Sequence, residues 1–290
     1  MTDYSIEELN LTYHGLTELP DDINKFTNLK KLYCGSNNLT HLDNLPNGIK
    51  YLSCRGNKIK TLDNLPNGLI TLYCSGNLLV TLDNLPPSLE ELYCDYNQII
   101  HLDNLPVSLK KLHCDYNYLE QLDNLPSGVA LLICSNNKII QLDNLPNSIT
   151  NLNCAFNKIP YLDNLPYDLK ILLCGYNNLL YLNNLPNNLE ELNCKCNQII
   201  HIKNIPMNLK KLDCTSNQMK NLCNFPNNLI SLNCSYNDIK YLDNLPVGLI
   251  HLICNNNQLS KLENLPISLE ELYCSNNPFL YDFESSIENI

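Results

Sequence analysis

Apolar residues return along this chain at a fixed step. Leucine or a close relative, leucine and cysteine recur as L-x-x-L-x-C, first as Leu29-x-x-Leu32-x-Cys34. Cysteine then falls at every twentieth position from 34 to 274, and asparagine follows three residues later each time, from Asn37 to Asn277, thirteen copies without a miss. The rest of the unit reads x-[LIMF]-x-x-[LI]-x-N-[LIF]-P, with asparagine from 44 to 264 and proline from 46 to 266 in twelve copies. Leu32 and Cys34 alternate with variable residues, which predicts a strand with one buried face and places Lys31, Tyr33 and Gly35 outward. A unit of twenty residues has no room for a strand, a full helix and two turns, so its return half is predicted to be short and extended. Proline in each copy agrees, because it removes a donor and holds φ in the extended or polyproline range. Such a unit can bury its leucines only against its neighbours, so stability is a sum over stacked copies.

The first copy is irregular: Ile6-x-x-Leu9-x-Leu11-x-x-His14-x-Leu16-x-x-Leu19-Pro20 has His14 in the asparagine position and is followed by DDINKFTN, room for one helical turn. Residues 1–28 are therefore expected to form an N-terminal cap, 29–279 the regular array, and 280–290 a short C-terminal cap or tail. Counting the first copy gives about fourteen parallel strands.

The run Leu29-x-x-Leu32-x-Cys34-x-x-Asn37-x-Leu39 resembles the leucine-rich-repeat consensus L-x-x-L-x-L-x-x-N/C-x-L, and the resemblance covers roughly residues 6–280. The short unit with LPxxLxxL is most similar to the class found in bacterial effectors of the YopM and IpaH type and in giant-virus leucine-rich-repeat proteins. What this implies is a leucine-rich-repeat solenoid of the α/β horseshoe class, with a parallel sheet on the concave face and extended or polyproline segments on the convex face. Two features depart from the common form: cysteine occupies the third core site of every regular repeat, and no ubiquitin-ligase domain of the IpaH kind is present in the sequence, so that activity is not carried over.

Composition narrows the function. Forty-four per cent apolar residues suffice for a substantial core. Thirty acids against 19 bases give a net charge of -11, which argues against nucleic acid as the main partner. No run of eighteen apolar residues could cross a membrane. The N-terminus lacks the basic and apolar pattern of an export signal, and fifteen cysteines then point to a reducing, intracellular compartment, the host cytoplasm if the protein is viral or a secreted effector.

Repetition also sorts the candidate chemistry. The thirteen ladder cysteines read as small core residues, since ligands for a metal would need to converge and these would stack in parallel. Cys196 and Cys223 stand outside the ladder, and Cys196, beside Lys195, is expected to be the more exposed. The Asn37-type residues read as buried amides bonded to the backbone of their own turn and the next repeat. Asp43, Asp63, Asp83, Asp103, Asp123, Asp143, Asp163 and Asp243 form a column read as solvated or turn-bonding, with calcium binding the alternative. His113 and Asp115 share a strand exit, but no nucleophile accompanies them; no catalytic activity, metal or cofactor is expected.

Information then sits at outward positions. Leu131, Ile133, Ile171 and Leu173 place apolar side chains there, with Asn151 and Asn153 between them, and Tyr93, Asp95, Tyr96, His113, Asp115 and Tyr116 add an acidic and aromatic strip. These residues are the expected partner-binding surface, suited to a partner bearing lysine or arginine beside an apolar anchor. The protein is expected to be a monomeric, non-catalytic protein–protein interaction scaffold, and a host-directed effector is within that reading. Two other classes stay open: a substrate-recruiting adaptor in a ubiquitin pathway, and receptor-like recognition of glycans or microbial molecules.

Overall fold

The computed structural model describes residues 3–280, so the expected C-terminal cover lies, but for Leu280, outside the described residues. The chain divides into two units, Met1–Ile139 and Ile140–Ile290. The first contains strands β1 (Glu8–Asn10), β2 (Lys31–Tyr33), β3 (Tyr51–Ser53), β4 (Thr71–Tyr73), β5 (Glu91–Tyr93), β6 (Lys111–His113) and β7 (Leu131–Ile133). Each pairs with the next in parallel and at the same repeat position, as Leu32 with Leu52 and Leu52 with Leu72. The second contains β8 (Asn151–Asn153), β9 (Ile171–Leu173), β10 (Tyr181–Leu182), β11 (Glu191–Asn193), β12 (His201–Ile202), β13 (Lys211–Asp213), β14 (Ser231–Asn233), β15 (His251–Ile253) and β16 (Glu271–Tyr273). Seven of these strands pair in parallel in the order β8-β9-β11-β13-β14-β15-β16, which brings the two units to the expected fourteen.

The inward positions are buried as the alternation requires. In a typical layer Leu29, Leu32, Cys34 and Leu39 have no exposure at all. One outward assignment fails: Gly35 is buried, because a Cβ there would lie 2.9 Å from the carbonyl oxygen of Arg55. Ser53, at the repeat position of Tyr33, is buried as well.

The return half is extended, as expected, and among the described residues the one helix is the 3-10 turn Ile23–Lys25, inside the segment with room for a helical turn. Its shape comes from three consecutive residues. The asparagine of N-[LIF]-P takes a left-handed backbone in all twelve copies, with φ between 53° and 59°, a conformation that asparagine tolerates better than most residues. The residue before proline is pushed to extended geometry. The proline carbonyl then accepts the N–H three residues on, as in Leu69 to Pro66 at 3.0 Å, and this turn aims the chain into the next strand. One departure occurs: β10 and β12 pair in a small second sheet on the return side.

Asparagine closes each layer. The Asn57 amide donates to the carbonyls of Cys54 at 2.9 Å and Cys34 at 3.0 Å, and its oxygen accepts from the N–H of Leu39 at 2.9 Å. The ladder thus bonds its own turn and the preceding repeat, whereas the sequence suggested the following one. The direction follows from geometry, since the turn carrying asparagine leans back over the last strand exit.

Candidate functional site

The ladder cysteines are thiols, none of them in a disulfide. All thirteen are buried. Burial pushes the Cys34, Cys154 and Cys234 thiols up to about 12 and raises those of Cys74, Cys114 and Cys174 as well, so the reactive thiolate is suppressed. The Cys94 Sγ lies 3.3 Å from the His113 carbonyl on the next strand, a bond that leucine could not make. Outside the ladder the order is the reverse of the expected one: Cys223 is exposed and Cys196 only partly so. Cys196 occupies a left-handed turn at φ 53° in the repeat after Tyr176, whereas Cys223 replaces an aspartate of the exposed column. That aspartate column is solvent-facing, and among the described residues no group of three or more acids, cysteines or histidines could hold a metal ion.

The outward side of the first unit carries a feature that no single column reveals. Tyr33, Tyr51, Tyr73, Tyr93 and His113 form a continuous aromatic ladder, with ring centroids 5.1, 5.4, 4.1 and 4.5 Å apart. Tyr51 belongs to a different outward column and fills the gap above the small, buried Ser53. Burial first, and the Tyr73 phenol and Glu91 after it, hold Tyr93 well above the ordinary tyrosine range. Burial likewise lowers His113, leaving it neutral at neutral pH, with its ring tilted 35° to that of Tyr93. His113 registers with Ile133, and Lys111 with Leu131, so the apolar residues of β7 continue this surface. Beside it Lys111 pairs with Glu91 at 2.8 Å and Lys110 with Glu90 at 2.8 Å, exposed pairs that contribute about 0–1 kcal/mol each.

At the strand exits of the same unit, Asp95 and Asp115 stand on neighbouring repeats. Burial and then the nearby Asp95 charge raise the Asp115 carboxyl to about 6. Next to them Tyr96 and Tyr116 stack, centroids 4.2 Å apart and planes within 9°, and help line a cleft of about 460 Å³ together with Asn97, Tyr118 and Asn136. Both tyrosines sit at φ of 53° and 51°. Left-handed backbone costs an L-residue about 1–2 kcal/mol, whereas a stacked pair contributes about 0.5–1.5 kcal/mol. One stack does not offset two strained residues, and the rings remain 55% and 44% exposed.

In the second unit Asn151 registers with Ile171 and Asn153 with Leu173. The four expected apolar residues, two in each unit, are half-buried rather than exposed. Lys210 pairs with Glu190 at 2.6 Å and Lys211 with Glu191 at 3.7 Å. This unit has its own stacked pair at left-handed positions, Phe156 and Tyr176, with centroids 4.0 Å apart, and the Lys195 ammonium lies 5.8 Å from the Tyr176 ring.

Of the residues expected in the first unit, Tyr93 and His113 neighbour each other in the ladder, Tyr96 and Tyr116 form a separate stacked pair, and Asp95 and Asp115 stand at the strand exits. Tyr33, Tyr51 and Tyr73 were left out of the expected surface; Tyr33 and Tyr73 share the repeat position of Tyr93, whereas Tyr51, eighteen residues after Tyr33, follows no twenty-residue step.

Solved structures similar to this chain share its architecture. YopM from Yersinia enterocolitica superposes with a TM-score of 0.81 at 29% identity, over 96% of this chain and 76% of that one. The Yersinia pestis protein, described as a leucine-rich effector, gives 0.72 at 29% identity over 93% and 89%. InlJ from Listeria monocytogenes, whose functional domain includes a cysteine ladder, gives 0.62 at 26% identity over 93% and 68%. No protein-family model matches the chain, and no curated protein matches it.

Proposed function

We propose that this leucine-rich-repeat solenoid is a non-catalytic scaffold that holds a protein partner on the outward side of its strands. The observation that carries the reading is the aromatic ladder from Tyr33 to His113, a strip of tyrosine on positions that core packing leaves free. Tyrosine suits interfaces because it covers area with few rotatable bonds and keeps a polar tip. Asp95, Asp115 and the β7 residues Leu131 and Ile133 extend the same face with charge and apolar anchors. In the second unit Asn151, Asn153, Ile171 and Leu173 provide the corresponding face. The similarity to a leucine-rich effector supports a host-directed role inside a cell.

The test is affinity capture from the native cell with three variants and the wild-type chain. Tyr73→Ser/Tyr93→Ser/His113→Ser removes the ladder, Leu131→Glu/Ile133→Glu alters the end of the first unit, and Ile171→Glu/Leu173→Glu alters the second. Loss of the wild-type partner from the ladder variant, with its melting transition still cooperative, is the expected outcome. Capture unchanged in all three overturns the assignment.

A further inference from the structure

The residue before each ladder asparagine runs in the first unit as Ser36, Gly56, Gly76, Tyr96, Tyr116 and Asn136, all in left-handed backbone. Glycine is what such a turn favours. Tyrosine at two successive turns is therefore unexplained by local conformation, and the half-exposed rings gain little from packing. The stack has one open end. A Cβ built at Gly76 would meet only backbone atoms of Gly56 within 4 Å, so the column before Tyr96 is a floor of bare backbone two repeats long.

Acid lines this end. Asp95 leans toward the Gly76 repeat, taking a hydrogen bond of 2.6 Å from the Ser75 hydroxyl, while Asp115 stands one repeat further away, beside Tyr116. Three lysines of the neighbouring repeats have partners of their own: Lys110 and Lys111 pair with glutamates, and Lys138 lies 4.8 Å from the Tyr118 ring.

We propose that the open end of the Tyr96–Tyr116 stack, floored by Gly56 and Gly76 and edged by Asp95, receives the guanidinium of an arginine on a basic protein segment. This rests on the reading of the first unit's outward side as a partner surface. A guanidinium is planar, so it continues the stack at the spacing of the repeats while its edge N–H groups reach a carboxylate. A lysine ammonium offers charge without a flat face. The net charge of -11 favours a basic partner over an acidic one.

The probes are blocked hexa-arginine and hexa-lysine peptides, titrated against the full chain by calorimetry at physiological ionic strength. Hexa-arginine is expected to bind about tenfold more tightly than hexa-lysine. Tyr96→Gly gives this turn the residue of its two neighbours and relieves its backbone, and it should bring the two peptides within about twofold. Gly76→Asn keeps a left-handed turn while placing a side chain on the floor, and should do the same. Equal affinities in the wild-type chain, or an arginine preference that survives Tyr96→Gly in a chain that melts no lower than wild type, overturns the proposal. If the preference is missing while the ladder variant still loses its captured partner, the arginine site falls and the partner surface stands. If the preference is present while the ladder variant captures normally, the ladder reading falls and the arginine site stands by itself.

Discussion

The side-chain nitrogen of Asn97 lies 3.0 Å from the carbonyl oxygen of Cys74, twenty-three residues earlier. The same amide reaches the carbonyl of Cys94 at 3.0 Å and accepts from the N–H of Leu79 at 3.1 Å. Replacement by alanine strands three buried backbone groups, each costing about 1–3 kcal/mol. Asn97→Ala is expected to lower stability by at least about 3 kcal/mol in urea titration. A loss below about 1 kcal/mol would show that water or a shifted turn takes over these bonds.

Thiol counting tests the packing of the cysteines. In the folded chain a water-soluble disulfide reagent should label Cys223 within the mixing time and Cys196 more slowly, and leave the thirteen ladder thiols unmodified. In denaturant all fifteen should react. Rapid labelling of Cys114 in the native protein would contradict its burial.

Tyr236 occupies a left-handed turn at φ 54° and is 59% exposed, with Asn256 in the same place on the next repeat. Tyr236→Asn should raise stability by about 0.5–1 kcal/mol, and Tyr236→Val should lower it by a similar amount. Thermal melts of the two variants side by side check the sign.

Asp115 links stability to pH. Its folded carboxyl titrates at about 6, above the ordinary 3.8, so the folded chain holds a proton more tightly than the unfolded one. Its charged form is therefore a liability at neutral pH, and stability is regained as pH falls from about 6 toward 4. Asp115→Asn should be more stable than wild type at pH 7.5 by about 1 kcal/mol, less than the bare shift implies because the group is partly solvated. That advantage should shrink below pH 6 and vanish below about 4. An advantage independent of pH would rule out the carboxyl as its source.

The period alone made the architecture legible, because a residue such as Leu32 or Cys34 repeated thirteen times has one environment and one reason. Side-chain placement beyond the period was harder to read. The twelve asparagines of N-[LIF]-P carried a visible signal for left-handed backbone, since asparagine followed closely by proline marks a turn. Gly35 looked outward by alternation and is buried because Arg55 covers it, a contact between columns that no pattern encodes. The aromatic ladder was hidden for the same reason: Tyr51 joins it across columns, where Ser53 leaves room. Exposure of Cys223 over Cys196 follows their places in the repeat, Cys223 in the solvent-facing aspartate column and Cys196 in the left-handed turn.

The backward reach of the asparagines gives the chain a direction of assembly. Asn37 bonds Leu11, His14, Leu16, Cys34 and Gly35, and Asn257 bonds Cys234, Ile239, Cys254 and Asn255, all of which precede it. A nascent chain emerges N-terminus first, so each newly made asparagine finds its partners already synthesised. Growth from the ribosome can therefore proceed one turn at a time, with only the newest turn left open and waiting for the next twenty residues.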